Sequence, residues 1–212
     1  MNELIQTLGL DPEAVVKAIE IFALVTGVPY IILEVLQKNA MWIFGIATGL
    51  ACAFSFAVQH SWANMGLNIY YVVISVWGFY RWRRDSAILK KNASESKSED
   101  SSVHLDRLSL KTGLCSVLTF TVIAVSLLLL THSAQGSNVL MDALSTAMCV
   151  VAMYWLGRSI PYHWIIWIVA DTVLVVMCAS QGQYALTVLY AAYVASACFG
   201  LFHWLKKGKY IS

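Results

Sequence analysis

The chain has 212 residues, of which 59% are hydrophobic and 12% are charged, and its mean hydropathy is +0.68. Soluble domains carry about 25% charged residues, so this composition excludes an ordinary soluble fold and indicates an integral membrane protein. The net charge of +2 is too small to indicate a nucleic-acid partner. The five cysteines lie in apolar runs, which indicates buried hydrophobic side chains rather than disulfides or a metal site.

Seven apolar segments are long enough to cross a bilayer as helices, because about 20 residues span the hydrocarbon. Links this short favour a helical bundle over a barrel. We therefore predict an all-α integral membrane fold with seven transmembrane helices. The segments cover residues 19–37, 41–59, 63–82, 112–131, 139–157, 162–180 and 184–204.

Part of the chain is repeated. Residues 42–82 match residues 164–204 at an offset of 122, with ten identities in 41 pairs and Trp at both ends of each copy. We therefore predict two three-helix repeats, 19–82 and 139–204, joined by a linker helix at 112–131. Because the linker adds one crossing, both repeats enter the membrane in the same direction, which is the parallel 3+1+3 arrangement of SWEET-like transporters.

The basic residues indicate the orientation, since 13 of the 14 fall on one side of such a bundle. The positive-inside rule places the N-terminal segment 1–18 outside and the tail 205–212 in the cytoplasm. The Ser-rich, mixed-charge stretch within 83–111 predicts a flexible cytoplasmic link. Glu34, at the cytoplasmic end of the first segment, is expected to reach the surface or pair with Lys38.

The sequence contains no P-loop, metalloprotease or nucleophile-elbow motif, so we predict no enzyme activity, no cofactor and no metal. The residues that remain are polar and aromatic groups at membrane depth. Trp164, Trp167 and Asp171 share one face of the sixth segment. An acid at this depth costs a few kcal/mol, which favours a role in contacting a polar or cationic solute. The alternative is a structural acid bonded to a neighbouring helix.

Equivalent positions of the two repeats carry polar or aromatic groups at the same depth. Asn68 in the third segment corresponds to Tyr190 in the seventh, and Tyr71 corresponds to Tyr193. Together these groups predict a shared pocket for a flat, polar solute, and they also suit a cationic one. The predicted substrate-binding residues are Asn68, Tyr71, Asp142, Thr146, Trp164, Trp167, Asp171 and Tyr190.

The chain resembles the PnuC family of bacterial vitamin transporters over nearly its whole length. The resemblance implies a homotrimer in the bacterial inner membrane that takes up nicotinamide riboside, or in related branches thiamine, by facilitated diffusion. Phosphorylation in the cytoplasm would then trap the solute, which implies functional coupling to a kinase. The residues that carry the resemblance are Glu20, Gly27, Asn39, Trp42, Gly45, Tyr71, GFYRW ending at Trp82, Asp142, Arg158, WIIWIVAD ending at Asp171, QGQY ending at Tyr184, and Tyr190.

Two positions depart from the riboside transporters of that family, which carry Asn in place of Asp171 and Gln in place of Asn68. Both candidate vitamins contain a quaternary aromatic nitrogen that a carboxylate would suit. Nicotinamide riboside is our first prediction and thiamine is the alternative. An alternative of another class is an integral-membrane enzyme or a receptor, which would need a reactive group of residues that the sequence does not contain.

Overall fold

The computed structural model describes residues 11–96, 103–131, 139–180, 182 and 184–211. Within these residues the chain forms seven helices and two short strands. The helices are α1 (Pro12–Val35), α2 (Met41–Val58), α3 (Trp62–Ser96), α4 (Leu110–Thr131), α5 (Val139–Gly157), α6 (His163–Ser180) and α7 (Tyr184–Lys207), and the strands are β1 (Val103–Leu105) and β2 (Gly208–Tyr210).

Each predicted segment coincides with one of these helices, so the prediction of a helical membrane protein is confirmed. Six of the described helices are long and apolar enough to cross a membrane. The exception is α3, because Asn64 and Asn68 lie in its first half and charged residues fill its second half. The 3+1+3 arrangement itself stays a prediction.

Local sequence explains where α1 begins. The Asp11 side chain accepts a hydrogen bond from the backbone N–H of Glu13 at 3.2 Å, and Pro12 occupies the first helical position. Both features are favoured at helix starts, since a carboxylate satisfies a free backbone N–H and proline has none to leave unpaired. The helix therefore starts earlier than the predicted segment at residue 19.

The sequence repeat is visible in the backbone. Gln37, after α1, has a φ of 49°, and Ser159, at the equivalent place after α5, has a φ of 59°. In both copies the next amide bonds to the carbonyl five residues earlier, at 2.8 Å in the first copy and 2.9 Å in the second. This is the Schellman pattern of helix ends. A second equivalent pair, His60 and Gly182, also has positive φ values, 56° and 71°.

Tryptophan pairs close the same end of each copy. Trp42 at the start of α2 packs edge-on against Trp82 on α3, with ring centroids 5.0 Å apart. Trp164 at the start of α6 packs edge-on against Trp204 on α7, with centroids 5.7 Å apart. All four rings are at most 3% exposed. Edge-to-face rings at such distances attract each other beyond the area they bury.

A glycine makes room for each of these rings. A Cβ on Gly78 would lie 2.5 Å from the Trp42 ring, and a Cβ on Gly200 would lie 2.6 Å from the Trp164 ring. Only glycine tolerates such close approach of a helix backbone to an aromatic ring. In the second copy the buried His163 ring adds to the cluster, 4.6 Å from Trp164. The identical residues of the repeat therefore form one packing device, which we call the Trp–Gly–Trp clasp.

The chain divides into two compact units, which meet in sequence between Arg83 and Arg84. The first unit contains α1, α2 and the first half of α3. The second contains the remainder of α3, helices α4 to α7 and both strands. The boundary falls inside α3, because that helix continues to Ser96, beyond its predicted end at residue 82.

The prediction of a flexible link at 83–111 is wrong for its described part. Helix α3 occupies 83–96, and β1 pairs in parallel with β2, the strand that directly follows α7. Val103 and Leu105 are at most 1% exposed, because their apolar side chains are buried in the second unit. The tail at 205–212 likewise contains the end of α7 and β2. Residues 97–102, with much of the Ser-rich run, lie outside the described residues.

Candidate functional site

The second unit brings three groups together on neighbouring helices. The Asp171 carboxylate on α6 acts electrostatically on the hydroxyls of Tyr190 and Tyr193 on α7. The two tyrosine rings contact each other edge to face, with centroids 6.0 Å apart and an angle of 80°. All three side chains are half-buried. Gly182, in the left-handed conformation, lies between the two helices.

Asp171 lies near the middle of its helix. It follows the first residue of α6, His163, by eight residues, which corresponds to about 12 Å along the axis. A helix that crosses the membrane therefore carries this carboxylate close to the midplane. A carboxylate there is unfavourable by about 3 kcal/mol, which makes Asp171 a candidate functional residue. Its side chain is partly exposed.

The two predicted tryptophans of α6 have different environments. Trp167 lies one turn before Asp171 and is half-buried, so its ring borders the same face of the helix. Trp164 is 3% exposed and packs in the clasp against Trp204 and Gly200. The structure thus places Trp164 in the helix-end packing, two turns from the carboxylate.

The remaining predicted residues are spread over other helices. Thr146 is half-buried on α5. Asp142 belongs to the same helix, but its side chain lies outside the described residues. Asn68 and Tyr71, both half-buried on α3, belong to the first unit, and the amide nitrogen of Asn68 donates to the Asn64 carbonyl at 2.9 Å. The participation of these four residues in one site stays a prediction.

Sequence reasoning missed a polar stripe on α1. The Thr26 hydroxyl lies 2.8 Å from the Thr48 hydroxyl of α2, and Tyr30 interacts electrostatically with Glu34. Glu34 is 5% exposed, so the expectation that it reaches the surface is wrong. Thr26, Tyr30 and Glu34 are spaced by four residues, and this helical period was the signal in the sequence. Ser75 on α3 adds a fully buried hydroxyl to the first unit.

A cluster of polar side chains connects the end of α5 to the segment between β1 and α4. The Arg158 guanidinium, between α5 and α6, donates to Asp106 at 2.6 and 2.9 Å and to Thr112 at 3.1 Å. Burial opposes its charge, but hydrogen bonds and attraction to Tyr154 and Asp106 raise the pKa of Arg158 above its usual value. The arginine therefore stays protonated and fixes the segment between β1 and α4 to the end of α5.

In the described part of the chain, no three His, Cys, Asp or Glu side chains lie together as a group that could hold a metal ion. The five cysteines are free thiols on five different stretches of the chain. What the second unit offers instead is one carboxylate beside aromatic faces. That combination can attract a cation with a flat ring, because the carboxylate and the negative faces of the aromatic rings both attract positive charge.

Comparisons with known proteins identify membrane transporters as relatives of this chain. The sequence profile described as nicotinamide mononucleotide transporter matches residues 17–206. The nicotinamide riboside transporters PnuC of Escherichia coli and Shigella flexneri are each 22% identical over 209 residues, covering 90% of this chain and 86% of theirs. A crystal structure of the vitamin B3 transporter PnuC superposes with a TM-score of 0.63 and 19% identity, over 87% of this chain and 79% of that one. These relatives are transporters, as the sequence analysis predicted for this chain, and not enzymes.

Proposed function

The chain belongs to the nicotinamide mononucleotide transporter family, and we propose that it takes up nicotinamide riboside by facilitated diffusion. The observation that carries the proposal is that Asp171, half-buried near the middle of α6, lies close enough to Tyr190 and Tyr193 on α7 to interact electrostatically with their hydroxyls. The pyridinium ring of the riboside is flat and positively charged, so a carboxylate beside aromatic faces matches it. Cation–π attraction in such a desolvated place is worth about 2 kcal/mol.

Each residue of the proposed site has a role that follows from its chemistry. Asp171 offsets the ring charge, and the rings of Trp167 and Tyr190 stack on the nicotinamide plane. Asn68, Tyr71 and Thr146 form hydrogen bonds with the ribose hydroxyls and the amide. Asp142 and Trp164 complete the predicted set, and Trp164 acts through the position of α6 because its ring is buried in the Trp–Gly–Trp clasp.

Thiamine is the second candidate, and a specific feature favours it. Asp171 and Asn68 differ from the Asn and Gln of the riboside transporters that the family resemblance provides. The thiazolium ring of thiamine is also a flat cation, so the same carboxylate suits it. The two vitamins differ in their polar parts, and hence in what Asn68 must bond.

The family resemblance and the lack of a motif for ATP hydrolysis support facilitated diffusion. No P-loop is present for ATP hydrolysis. Under the proposal the solute equilibrates across the bacterial inner membrane, and phosphorylation by a cytoplasmic kinase retains it. The basic residues favour an N-terminus outside and a C-terminus in the cytoplasm. The homotrimer remains an implication of the family resemblance.

Equilibrium binding to the purified protein in detergent tests the proposal. Intrinsic tryptophan fluorescence is titrated with nicotinamide riboside and, separately, with thiamine. We expect saturable quenching by the riboside, which Trp167→Phe reduces and the control Trp62→Phe, at a 60% exposed position, does not. Saturation by thiamine alone would transfer the assignment to thiamine. If neither vitamin quenches, the proposal is wrong.

A further inference from the structure

A groove of about 490 Å³ lies among α4, α5 and α6 of the second unit. Small-molecule sites have volumes of about 300–1,000 Å³, so the groove is large enough for a ligand. Its walls include Gly113 and Phe120 of α4, Val151 of α5 and Ile165 of α6. Ile165 is 45% exposed, so the groove opens sideways, toward the space that lipid fills.

The groove suits hydrocarbon and not a polar solute. The polar side chains in its wall are Ser116 and Trp155, and the Trp155 indole N–H donates to the Ser116 hydroxyl at 2.9 Å. That hydroxyl in turn donates to the Thr112 carbonyl at 2.8 Å. Because these groups satisfy one another, they leave little for a nicotinamide or a ribose to bond.

The groove is separate from the proposed solute site. Asp171 follows the groove residue Val169 by two positions, which corresponds to about 200° around α6. The carboxylate therefore points to another side of that helix. A ligand in the groove would not compete directly with a ligand at Asp171.

The groove starts at one membrane surface. It lies beside the first turns of α4 and α6 and the last turns of α5, and from Gly113 to Phe120 it extends about 10 Å along α4. The hydrocarbon of a bilayer is about 30 Å thick, so the groove stays within one leaflet. A single acyl chain that enters from that leaflet can occupy it.

The surface end of the groove carries positive charge. Arg107 is exposed and directly precedes the groove residue Leu108. Its guanidinium lies 5.3 Å from the centre of the Tyr210 ring, which holds it in place. Arg158 is nearby in the fold, but Asp106 neutralises it. Among the described residues Arg107 has no acidic partner within ion-pair distance, so it places a positive charge at the mouth of an apolar groove.

We propose that this groove binds one acyl chain of an anionic phospholipid, with the phosphate of its headgroup beside Arg107. The apolar walls accommodate the chain, and the exposed guanidinium attracts the phosphate. The site does not depend on the substrate of the transporter, and it selects lipid by charge.

Native mass spectrometry of the full-length protein tests this proposal, with phosphatidylglycerol and phosphatidylcholine as probes. We expect each chain to retain one phosphatidylglycerol in preference to phosphatidylcholine. Arg107→Glu should weaken that preference at least about fivefold, the change expected for one basic residue at a membrane surface. The matched control is Lys111→Glu, because Lys111 is about 200° around α4 from Gly113.

Filling the groove provides the second arm. A Cβ on Gly113 meets no atom within 4 Å, so Gly113→Leu adds bulk to the groove without a clash at its Cβ, and we expect it to remove the retained lipid. Gly66→Leu, at an equally open glycine of the first unit, is the control. If Gly113→Leu does not fold, Val117→Trp fills the groove from a position that is 65% exposed. The proposal would be overturned if both lipids are retained equally or if the filled variants bind lipid as the unmodified protein does. It would also be overturned if the added mass is that of another protein chain and not of a lipid.

Discussion

The two copies of the internal repeat agree at their ends and differ in their middle. Both close with the Trp–Gly–Trp clasp and both turn with a left-handed residue at the same place. At membrane depth, Gly49 of α2 corresponds to Asp171 of α6. The shared ends therefore fix the packing of the helices in both copies, and at membrane depth the two copies carry different side chains.

The difference at Gly49 has a physical reason. A Cβ there would lie 2.9 Å from the Val72 side chain and 3.4 Å from the Asn68 carbonyl oxygen, so α2 and α3 approach closely. In the second copy the equivalent position carries the Asp171 carboxylate, beside Tyr190 and Tyr193. In the first copy this position allows two helices to pack closely, and we infer that in the second copy it binds the solute.

We expect the largest effect from substitutions that disrupt the Trp–Gly–Trp clasp, which both copies share. Gly78→Val and Gly200→Val each place a side chain about 2.5 Å from a tryptophan ring, and overpacking of this kind destabilises a protein by about 1–3 kcal/mol or more. We expect both variants to lower the thermal unfolding temperature in detergent by several degrees. Gly27→Val, at a glycine with no atom near its Cβ, should change it little. A loss in only one copy would mean that the clasps are not equivalent.

The substitution Asp171→Gly gives the second copy the residue that the first copy has at Gly49. Asp171→Gly removes a carboxylate from membrane depth, where it is unfavourable by about 3 kcal/mol. We expect vitamin binding to be lost while the unfolding temperature is unchanged or higher. A large drop in the unfolding temperature would instead identify Asp171 as a structural acid.

A smaller effect concerns a contact that only the second copy has. Arg158 corresponds to Leu36 in the first copy, so Arg158→Leu removes the bonds to Asp106 and Thr112. Its side chain is 23% exposed, and we expect a loss of about 1–2 kcal/mol. Hydrogen exchange at β1 should accelerate. The control is Arg83→Leu, because the Arg83 side chain is exposed and its replacement should change the stability little.

The smallest effect concerns a contact that only the first copy has. Thr26→Val removes the hydroxyl that meets Thr48, a bond between helices that is typically worth about 0.6 kcal/mol in a membrane. A double-mutant cycle with Thr48→Val measures that coupling through unfolding. A coupling of zero would show that each hydroxyl bonds within its own helix.

The helices could be predicted from the sequence because each needs only a long apolar run, which composition reveals directly. The repeat could be found because tryptophan is rare, so Trp42, Trp82, Trp164 and Trp204 stand out at a fixed offset. The role of these tryptophans could not be read from spacing. Interfacial anchors and buried packing groups have the same residue type and the same place near a helix end.

The strands β1 and β2 escaped prediction for a different reason. Each has three residues, too few for an alternating pattern, and they pair across about a hundred residues of sequence. The site itself stays a prediction. Depth and helical period pointed to Asp171 and Tyr190, whereas the side-chain packing of Trp164 and the burial of Glu34 depend on contacts between helices that no local pattern encodes.

We infer that Asp171 binds the positive charge of the vitamin ring. The most direct test compares nicotinamide riboside with its reduced form, whose ring is uncharged, on the unmodified protein and on Asp171→Asn. We predict that the substitution weakens binding of the charged riboside at least about tenfold, or about 1.4 kcal/mol, and alters binding of the reduced form much less. Equal losses for both forms, or no loss for either, would contradict the account.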